Sequence, residues 1–290
     1  MDEKFLAEQF EQQRTRLRAV AYRMLGSMAE ADDAVQEAWL RLHRTETGEI
    51  ENLAAWLTTV VTRVCLNVLR SRRTHPEEPL EVRMPDPIID RPDAVQPEHE
   101  ALLADAVGMA LMTVLQTLPP PERVALVLHD SFAVPFEEIA TILDKSPAAT
   151  RQLASRARRK VQETPTTPEP DLARQRVVVD AFFGAARAGD FQGLVAVLDP
   201  DVVLHGDTGV AATSRIVRGA ETVAGNAIMF SRPLATLRPA LINGAAGVII
   251  EEDGQVVGLL AFVVAGGRIV AIDALNDLDR LARLDLSVLG

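Results

Sequence analysis

Residues 136–160 read FEEIATILDKSPAATRQLASRARRK, the pattern of two amphipathic helices joined by a short turn. Apolar residues recur at helical spacing as far as Leu143, and Asp144-Lys145 then interrupts them. Ser146 can accept hydrogen bonds from the first amides of the second helix. Pro147 suits the first helical position because that position needs no N–H. The stretch therefore predicts a helix-turn-helix whose second helix ends in cations.

The second helix of this motif is a candidate for contact with DNA. In such motifs the N-terminal residues of the second helix reach base edges, and later cations mostly meet phosphates. We expect Leu153, Ala157 and Val161 to be buried. An ordinary helical hairpin with a solvated basic end is the alternative. The candidate DNA-binding residues here are Ser146, Thr150, Arg151, Gln152, Ser155, Arg158 and Arg159, of which we expect Thr150, Arg151, Ser155 and Arg158 to face outward.

The composition is that of a globular protein with two or three domains: 290 residues, 48% hydrophobic and 24% charged. No apolar run approaches the roughly 20 residues of a membrane span, and the N-terminal residues lack a signal-peptide core. The single cysteine, Cys65, lies among valines and reads as a core residue. We therefore expect a cytoplasmic protein with no membrane contact, no metal and no cofactor.

The net charge of −11 is unevenly distributed. Residues 1–73 carry 11 basic and 11 acidic side chains, and residues 99–163 carry 7 and 8, whereas residues 74–98 and 164–290 are each at −5. The candidate DNA helices are thus in nearly neutral segments. Because phosphate neutralisation supplies most non-specific affinity, we expect weak DNA binding unless a partner holds the protein on DNA.

The first 73 residues predict helices with two polar surfaces. Gly26 ends one helix, and Ser27 with Glu30 forms a predicted capping box for the next. Asn52 is the predicted cap of a long third helix with an apolar stripe. The second helix presents an acidic side made of Asp32, Asp33, Gln36 and Glu37, and the third presents a ridge made of Arg63, Asn67 and Arg70.

The rest of the chain divides by composition. Residues 74–98 hold six prolines and seven acidic residues and form a predicted linker. A second helical unit is predicted over 99–163, and a short proline-rich linker over 164–170. Residues 171–290 predict an α+β domain with a curved antiparallel sheet and no helical crossovers, whose helices lie over 171–188, 191–198 and 220–230, with hairpin turns at Asp253-Gly254 and Gly266-Gly267.

The first two helical parts resemble the extracytoplasmic-function group of the bacterial sigma-70 family. Residues 31–42 are similar to its core-polymerase-binding segment, and residues 52–57 with 67–70 are similar to its promoter-melting segment. Leu118-Pro119, Glu122-Arg123 and residues 136–140 resemble its region 4. These motifs follow the family's order and spacing over about 150 residues, so we expect sigma region 2 over 1–73 and region 4 over 99–163.

The resemblance implies partners and roles. The acidic face of the second helix would bind core RNA polymerase, and the loop 44–52 would take a flipped base of the minus-ten element. Arg63, Asn67 and Arg70 would lie along the adjacent promoter DNA. The helix from Ser146 would enter the major groove at the minus-thirty-five element.

Residues 171–290 resemble a SnoaL-like domain, a cone-shaped fold that some sigma factors carry as a recognisable subgroup. That subgroup has a linker rich in Trp, Leu and Pro, a Gly-rich loop after an Asp, and a terminal Asn-Pro-Asp-Lys-Leu. Residues 83–88 keep the prolines but not the Trp, 206–210 keep the Asp and some Gly, and 276–281 keep only the outline. The candidate regulatory contacts are Pro85, Asp86 and Pro87 in the linker and Asn276, Asp279 and Arg280 near the C-terminus.

The SnoaL-like fold often holds a catalytic Asp or His, and His205, Asp207 and Asp273 are the candidates here. No nucleophile–base pair is recognisable, and we expect a regulatory domain rather than an enzyme. The alternatives are a small-molecule enzyme or ligand-binding cyclase-like domain fused to a DNA-binding module, and a repressor. A small ligand of unknown chemistry is a candidate partner of the C-terminal domain. A repressor or an enzyme would need neither a melting helix nor a polymerase-binding face.

Overall fold

The computed structural model describes residues 3–45, 50–74, 84–92, 108–163, 169–210, 213–231 and 234–289. These residues form two compact units. The first unit contains residues 3–45, 50–74 and 114–163, and the second contains 84–92, 108–113 and the described residues from 169 onward. The predicted flipped-base loop lies partly outside the described residues, because 46–49 are not among them.

The first unit is helical. Its helices are α1 (Glu3–Leu25), α2 (Met28–Arg44), α3 (Leu53–Thr74), the last part of α4 (Met109–Thr117), α5 (Pro120–Leu126), a π-helical turn (Val127–Ser131), α6 (Phe136–Leu143) and α7 (Pro147–Gln162). Helix α1 ends at Gly26, as predicted, with the glycine at φ 72°. Asn52 caps α3 by accepting from the amide of Ala55 at 3.1 Å, which is also as predicted.

The predicted capping box at the start of α2 is wrong. Ser27 has the extended backbone of a cap residue, but its side chain accepts no helix amide. Glu30 instead forms an ion pair with Arg72 of α3. A carboxylate gains more from a guanidinium than from a neutral amide, and the tertiary fold brings that guanidinium within reach.

Helix α3 packs one face into the first unit. Leu57, Val61 and Cys65 are buried, while Arg63 on the other side is exposed. Among the described residues, its stretch Leu53–Arg72 is long and apolar enough to span a membrane by length and composition, and 44% of that stretch is buried inside the protein. A helix in the core of a protein can meet the same criteria of length and composition, so this finding is weak evidence for a membrane span.

The second unit is an α+β domain. Its helices are α8 (Leu172–Ala188), α9 (Phe191–Val197), α10 (Ala220–Met229) and α11 (Leu278–Leu281), joined by the first part of α4. Its strands are β1 (Ile89–Asp90), β2 (Leu198–Asp207), β3 (Arg215–Arg218), β4 (Thr236–Ile242), β5 (Ala245–Glu252), β6 (Gln255–Ala265) and β7 (Arg268–Leu275). The predicted helices and hairpin turns of this domain are confirmed.

The sheet has the order β1-β4-β5-β6-β7-β2-β3. Its pairings are antiparallel except for β2 with β7, which run parallel with His205 opposite Asp273. The predicted antiparallel sheet is therefore confirmed except at this pair. The turn residues of a hairpin predict pairing between neighbouring strands only, and β2 and β7 are some 70 positions apart in the sequence.

The two faces of the sheet are covered differently. Helices α8, α9 and α10 pack on one face against Phe262, Val264 and Ile272. Because side chains alternate along a strand, Ala261, Val263 and Asp273 point to the opposite face. That opposite face, called the outer face below, packs against Met84, Ile89, Met109 and Ala110. Residues 84–92, which we predicted as linker, thus supply the edge strand β1 of this sheet.

Candidate functional site

The helix-turn-helix has the predicted local geometry. Helix α6 buries Ile139 and Ala140 and ends at Asp144, which adopts the left-handed conformation at φ 55°. The Ser146 hydroxyl accepts from the amide of Ala149 at 3.2 Å, and Pro147 opens α7. The capping signals read from the sequence are therefore confirmed.

The exposed face of α7 differs from the prediction at one position. Leu153 and Ala157 are buried, as predicted, and Val161 is half-buried. Thr150 is fully buried, and its hydroxyl donates to the carbonyl of Ser146 at 3.1 Å. A threonine hydroxyl commonly bonds the carbonyl four residues earlier in a helix, so the predicted outward orientation of Thr150 is wrong. Ser146, Arg151, Gln152, Ser155 and Arg159 are exposed, and Arg158 is half-buried.

Several arginines of α7 are paired with carboxylates of the first unit. Arg151 donates to Glu137 at 2.7 Å and lies over the ring of Phe136. Arg158 donates two bonds of 2.6 Å to Asp130, and these bonds raise the pKa of its guanidinium. Any contact of Arg151 or Arg158 with a DNA phosphate would have to replace these bonds, and the Arg151–Glu137 pair is the more exposed of the two.

The acidic side of α2 is partly neutralised within the first unit. Arg18 donates two bonds to Asp32, at 2.7 and 3.1 Å, and Arg41 donates to Glu37 at 2.8 Å. Asp33 and Gln36 are exposed, and the Asp33 side chain makes no hydrogen bond or ion pair among the described residues. Asp33 is therefore the carboxylate on this face that is most available to a cationic partner.

The ridge on α3 is exposed as predicted, with Arg63, Asn67 and Arg70 on one side of the helix. On the other side, burial raises the pKa of Cys65 to about 12, and the nearby Glu30 adds to this effect. The thiol is thus protonated and unreactive at neutral pH. This agrees with the interpretation of Cys65 as a core residue.

Arg123 is a buried contact in the first unit that the sequence analysis did not single out for a structural role. It is 2% exposed and donates to the carbonyl of Met24 at 2.5 Å and to Gln116 at 2.7 and 2.8 Å. Burial, followed by the charge of Arg72, lowers the pKa of Arg123 to about 9, so its guanidinium remains charged at neutral pH. Arg123 ties the end of α1 to α4 and α5.

Arg280 joins the predicted linker residues to the second unit. Its guanidinium donates to Asp207 at 2.7 Å, to the carbonyl of Met84 at 2.7 Å and to Asp86 at 3.0 Å. The amide of Met84 donates to Asp207 at 2.8 Å. The structure thus brings Asp86 and Arg280 together, as the sequence analysis proposed for a regulatory contact.

The other candidate regulatory residues do not take part in the contact between Asp86 and Arg280. Pro85 and Pro87 are buried in the second unit. Asn276 is exposed and donates to the carbonyl of Val257 at 3.4 Å, and Asp279 is exposed at the start of α11. No bond from either side chain to residues 84–92 occurs in the described part of the chain.

Asn243 is a further contact that the sequence reasoning missed. Its side chain accepts from the amide of Ile88 at 3.0 Å, and its own amide donates to the carbonyl of Ile88 at 2.8 Å. The Asn243-Gly244 turn was a usable signal for the β4–β5 hairpin, with both residues at positive φ. Nothing in the sequence points from that turn to Ile88.

The three candidate catalytic residues lie on the outer face, away from α8, α9 and α10. Asp273 is 1% exposed and accepts from the Thr113 hydroxyl at 3.2 Å, and the Nδ1 atom of His205 lies 3.1 Å from the same oxygen. Asp207 is engaged by Met84 and Arg280. Asp207 and Asp273 are thus bound by other parts of the chain, whereas the His205 side chain is 18% exposed. No group of residues suited to hold a metal ion occurs among the described residues.

Comparison with known proteins identifies two family matches. Sigma-70 region 2 matches residues 9–75, and Sigma-70 region 4 matches residues 108–161. The ECF RNA polymerase sigma factor SigJ of Mycobacterium tuberculosis is 45% identical over 219 residues, which cover 74% of this chain and 70% of SigJ. The probable ECF RNA polymerase sigma factor SigI of the same species is 35% identical over 257 residues, which cover 88% of each chain. The crystal structure of M. tuberculosis SigJ superposes with a TM-score of 0.75 at 35% identity and covers 97% of this chain and 99% of that one.

Proposed function

Because this chain belongs to the extracytoplasmic-function group of the sigma-70 family, and therefore directs promoter-specific transcription initiation by core RNA polymerase, we propose that its SnoaL-like C-terminal domain modulates this activity in cis. The domain would act by binding the chain between sigma regions 2 and 4. Both regions must reach their promoter elements at once. A domain that holds the connecting chain therefore limits the spacing that they can adopt.

We assign the surfaces of the first unit by their charge and exposure. The acidic face of α2, with Asp33 as its most available carboxylate, would bind polymerase. The ridge on α3 would follow the promoter DNA near the minus-ten element, and α7 would enter the major groove of the minus-thirty-five element. An acidic chain binds DNA weakly alone, so polymerase would hold it on the promoter, and the site of action is the cytoplasm.

The observation that carries the proposal is the insertion of residues 84–92 into the C-terminal sheet. Strand β1 pairs with β4, and Arg280 binds Met84 and Asp86 while its own charge is balanced by Asp207. The Arg280 side chain is 13% exposed, so these charge-assisted bonds are largely shielded from water. The connecting chain is thus part of the domain's fold in this state.

We propose that the domain acts by binding and not by catalysis. Its buried carboxylates Asp207 and Asp273 are occupied by other parts of the same chain. A general acid or base must instead reach a proton of the substrate.

The test is promoter-dependent transcription with core polymerase and the Arg280→Met variant. Methionine keeps much of the apolar stem but removes both hydrogen bonds that Arg280 donates to Met84 and Asp86, so we expect the segment to detach more readily and transcription to rise several-fold. Arg283→Met is the matched control, because Arg283 is exposed nearby. Equal transcription by wild type and both variants would refute control through this contact.

A further inference from the structure

The outer face of the C-terminal sheet holds a second piece of chain besides residues 84–92. Residues 108–113, which begin helix α4, belong to the same compact unit as the sheet. Met109 packs into the apolar cluster that includes Ala261 and Leu275, and Ala110 packs against Val263. Met109 and Ala110 are each 3% exposed. The start of α4 is therefore buried on the sheet.

A polar anchor accompanies this apolar contact. Thr113, which is 8% exposed, donates to Asp273, which is 1% exposed. The second carboxylate oxygen of Asp273 has no hydrogen-bond partner among the described residues. A buried carboxylate is costly unless it is hydrogen-bonded, and one oxygen of Asp273 has two partners, the Thr113 hydroxyl and the Nδ1 atom of His205 at 3.1 Å. Loss of the bond from Thr113 would therefore remove one of these two partners.

Three buried polar side chains of the second unit have partners much earlier in the chain. Asp207 binds the backbone of Met84, and Asn243 binds the backbone of Ile88. Asp273 binds Thr113. Asp207, Asn243 and Asp273 thus each hold a segment from the N-terminal half of the chain. The positions that suggested a catalytic site are better explained as anchors for those segments.

We propose that the outer face is a docking surface for the start of sigma region 4, and that Asp273 is the residue that positions it through Thr113. The region 4 match begins at residue 108, so the docked segment is the first part of that region. Release of this segment, in addition to residues 84–92, is then required before region 4 can take up its position on the promoter. This inference rests on the proposed control in cis and names a second contact through which the control acts.

The test measures amide hydrogen exchange of α4 in the full-length protein, together with transcription by the same variants. Thr113→Val keeps the shape and removes the donor, and we expect exchange in residues 109–117 to become at least tenfold faster, since a bond to a charged group is lost. Thr113→Ser keeps the hydroxyl and should exchange close to wild type. Thr117→Val is the control in the same helix, because the Thr117 hydroxyl donates to the carbonyl of Val114 and not to the sheet.

The outcomes separate this inference from the proposed function. Faster exchange and higher transcription for Thr113→Val, but not for Thr117→Val, support the docking surface. Unchanged exchange or unchanged transcription for Thr113→Val, combined with a clear effect of Arg280→Met, would overturn it while leaving the control in cis intact. If neither Thr113→Val nor Arg280→Met alters transcription, both fail.

Discussion

At the scale of single residues, the exposed side of α7 divides into bound and available groups. Arg151 and Arg158 have carboxylate partners in the first unit. Gln152, Ser155 and Arg159 are exposed, and their side chains make no hydrogen bond or ion pair among the described residues. With Thr150 buried, we expect Arg151 and Gln152 to be the residues at the start of this helix that read bases.

We expect Arg151→Ala to weaken promoter binding by about 1–3 kcal/mol and to relax sequence choice, because an arginine at the start of a recognition helix reads base edges. Holoenzyme binding to a panel of minus-thirty-five variants measures this. Lys160→Ala, at the other end of α7, should weaken binding on all sequences alike and lower the salt dependence. Unchanged promoter selection by Arg151→Ala would remove Arg151 from the base-reading set.

We expect Asp33→Lys to abolish assembly with core polymerase while circular dichroism stays native. The side chain is exposed, so the fold does not depend on it, whereas charge complementarity governs the encounter. Glu8→Lys makes the same charge change on the exposed side of α1 and should assemble normally. Wild-type affinity of the Asp33→Lys variant would place the polymerase contact elsewhere.

At the scale of elements, the cap and turn signals were predictable because they are local. Asn52, Ser146 and Asp144 act where the sequence predicted, since each bonds or bends within a few residues. The predictions for Glu30 and Thr150 were wrong for opposite reasons. Glu30 was drawn to Arg72 by the tertiary fold, and Thr150 was turned inward by its own helix backbone.

The buried guanidinium of Arg123 joins helices α1, α4 and α5. We expect Arg123→Met to lower the free energy of unfolding by about 2 kcal/mol, because the carbonyls of Met24 and Gln116 lose their donor in a buried place. Denaturant unfolding measures this. Arg159→Met, on the exposed side of α7, should stay within about 0.5 kcal/mol of wild type. If Arg123→Met unfolds with the same free energy as wild type, the buried hydrogen bonds of Arg123 make no net contribution to stability.

At the scale of the whole molecule, the order of helical and α+β parts was predictable from composition and periodicity. The division into compact units was not, because residues 84–92 and 108–113 are joined to the C-terminal sheet by pairings more than 100 positions apart. The acidic, proline-rich composition of residues 74–98 is typical of a linker, and it conceals a strand of two residues. The resemblance to the sigma subgroup made Asp86 and Arg280 candidate contact residues, but it did not predict that these two side chains bond to each other.

Transcription from a cognate promoter by core polymerase with three chain lengths tests the central claim most directly: the full protein, a chain ending at Asn276 and a chain ending at Glu163. Loss of α11 removes Arg280 and its hold on Met84 and Asp86, so the chain ending at Asn276 should be more active than the full protein. The chain ending at Glu163 should also differ clearly from the full protein, since it lacks the sheet that binds residues 84–92 and 108–113. Equal transcription from all three chains would contradict control by the C-terminal domain and reduce it to a passenger.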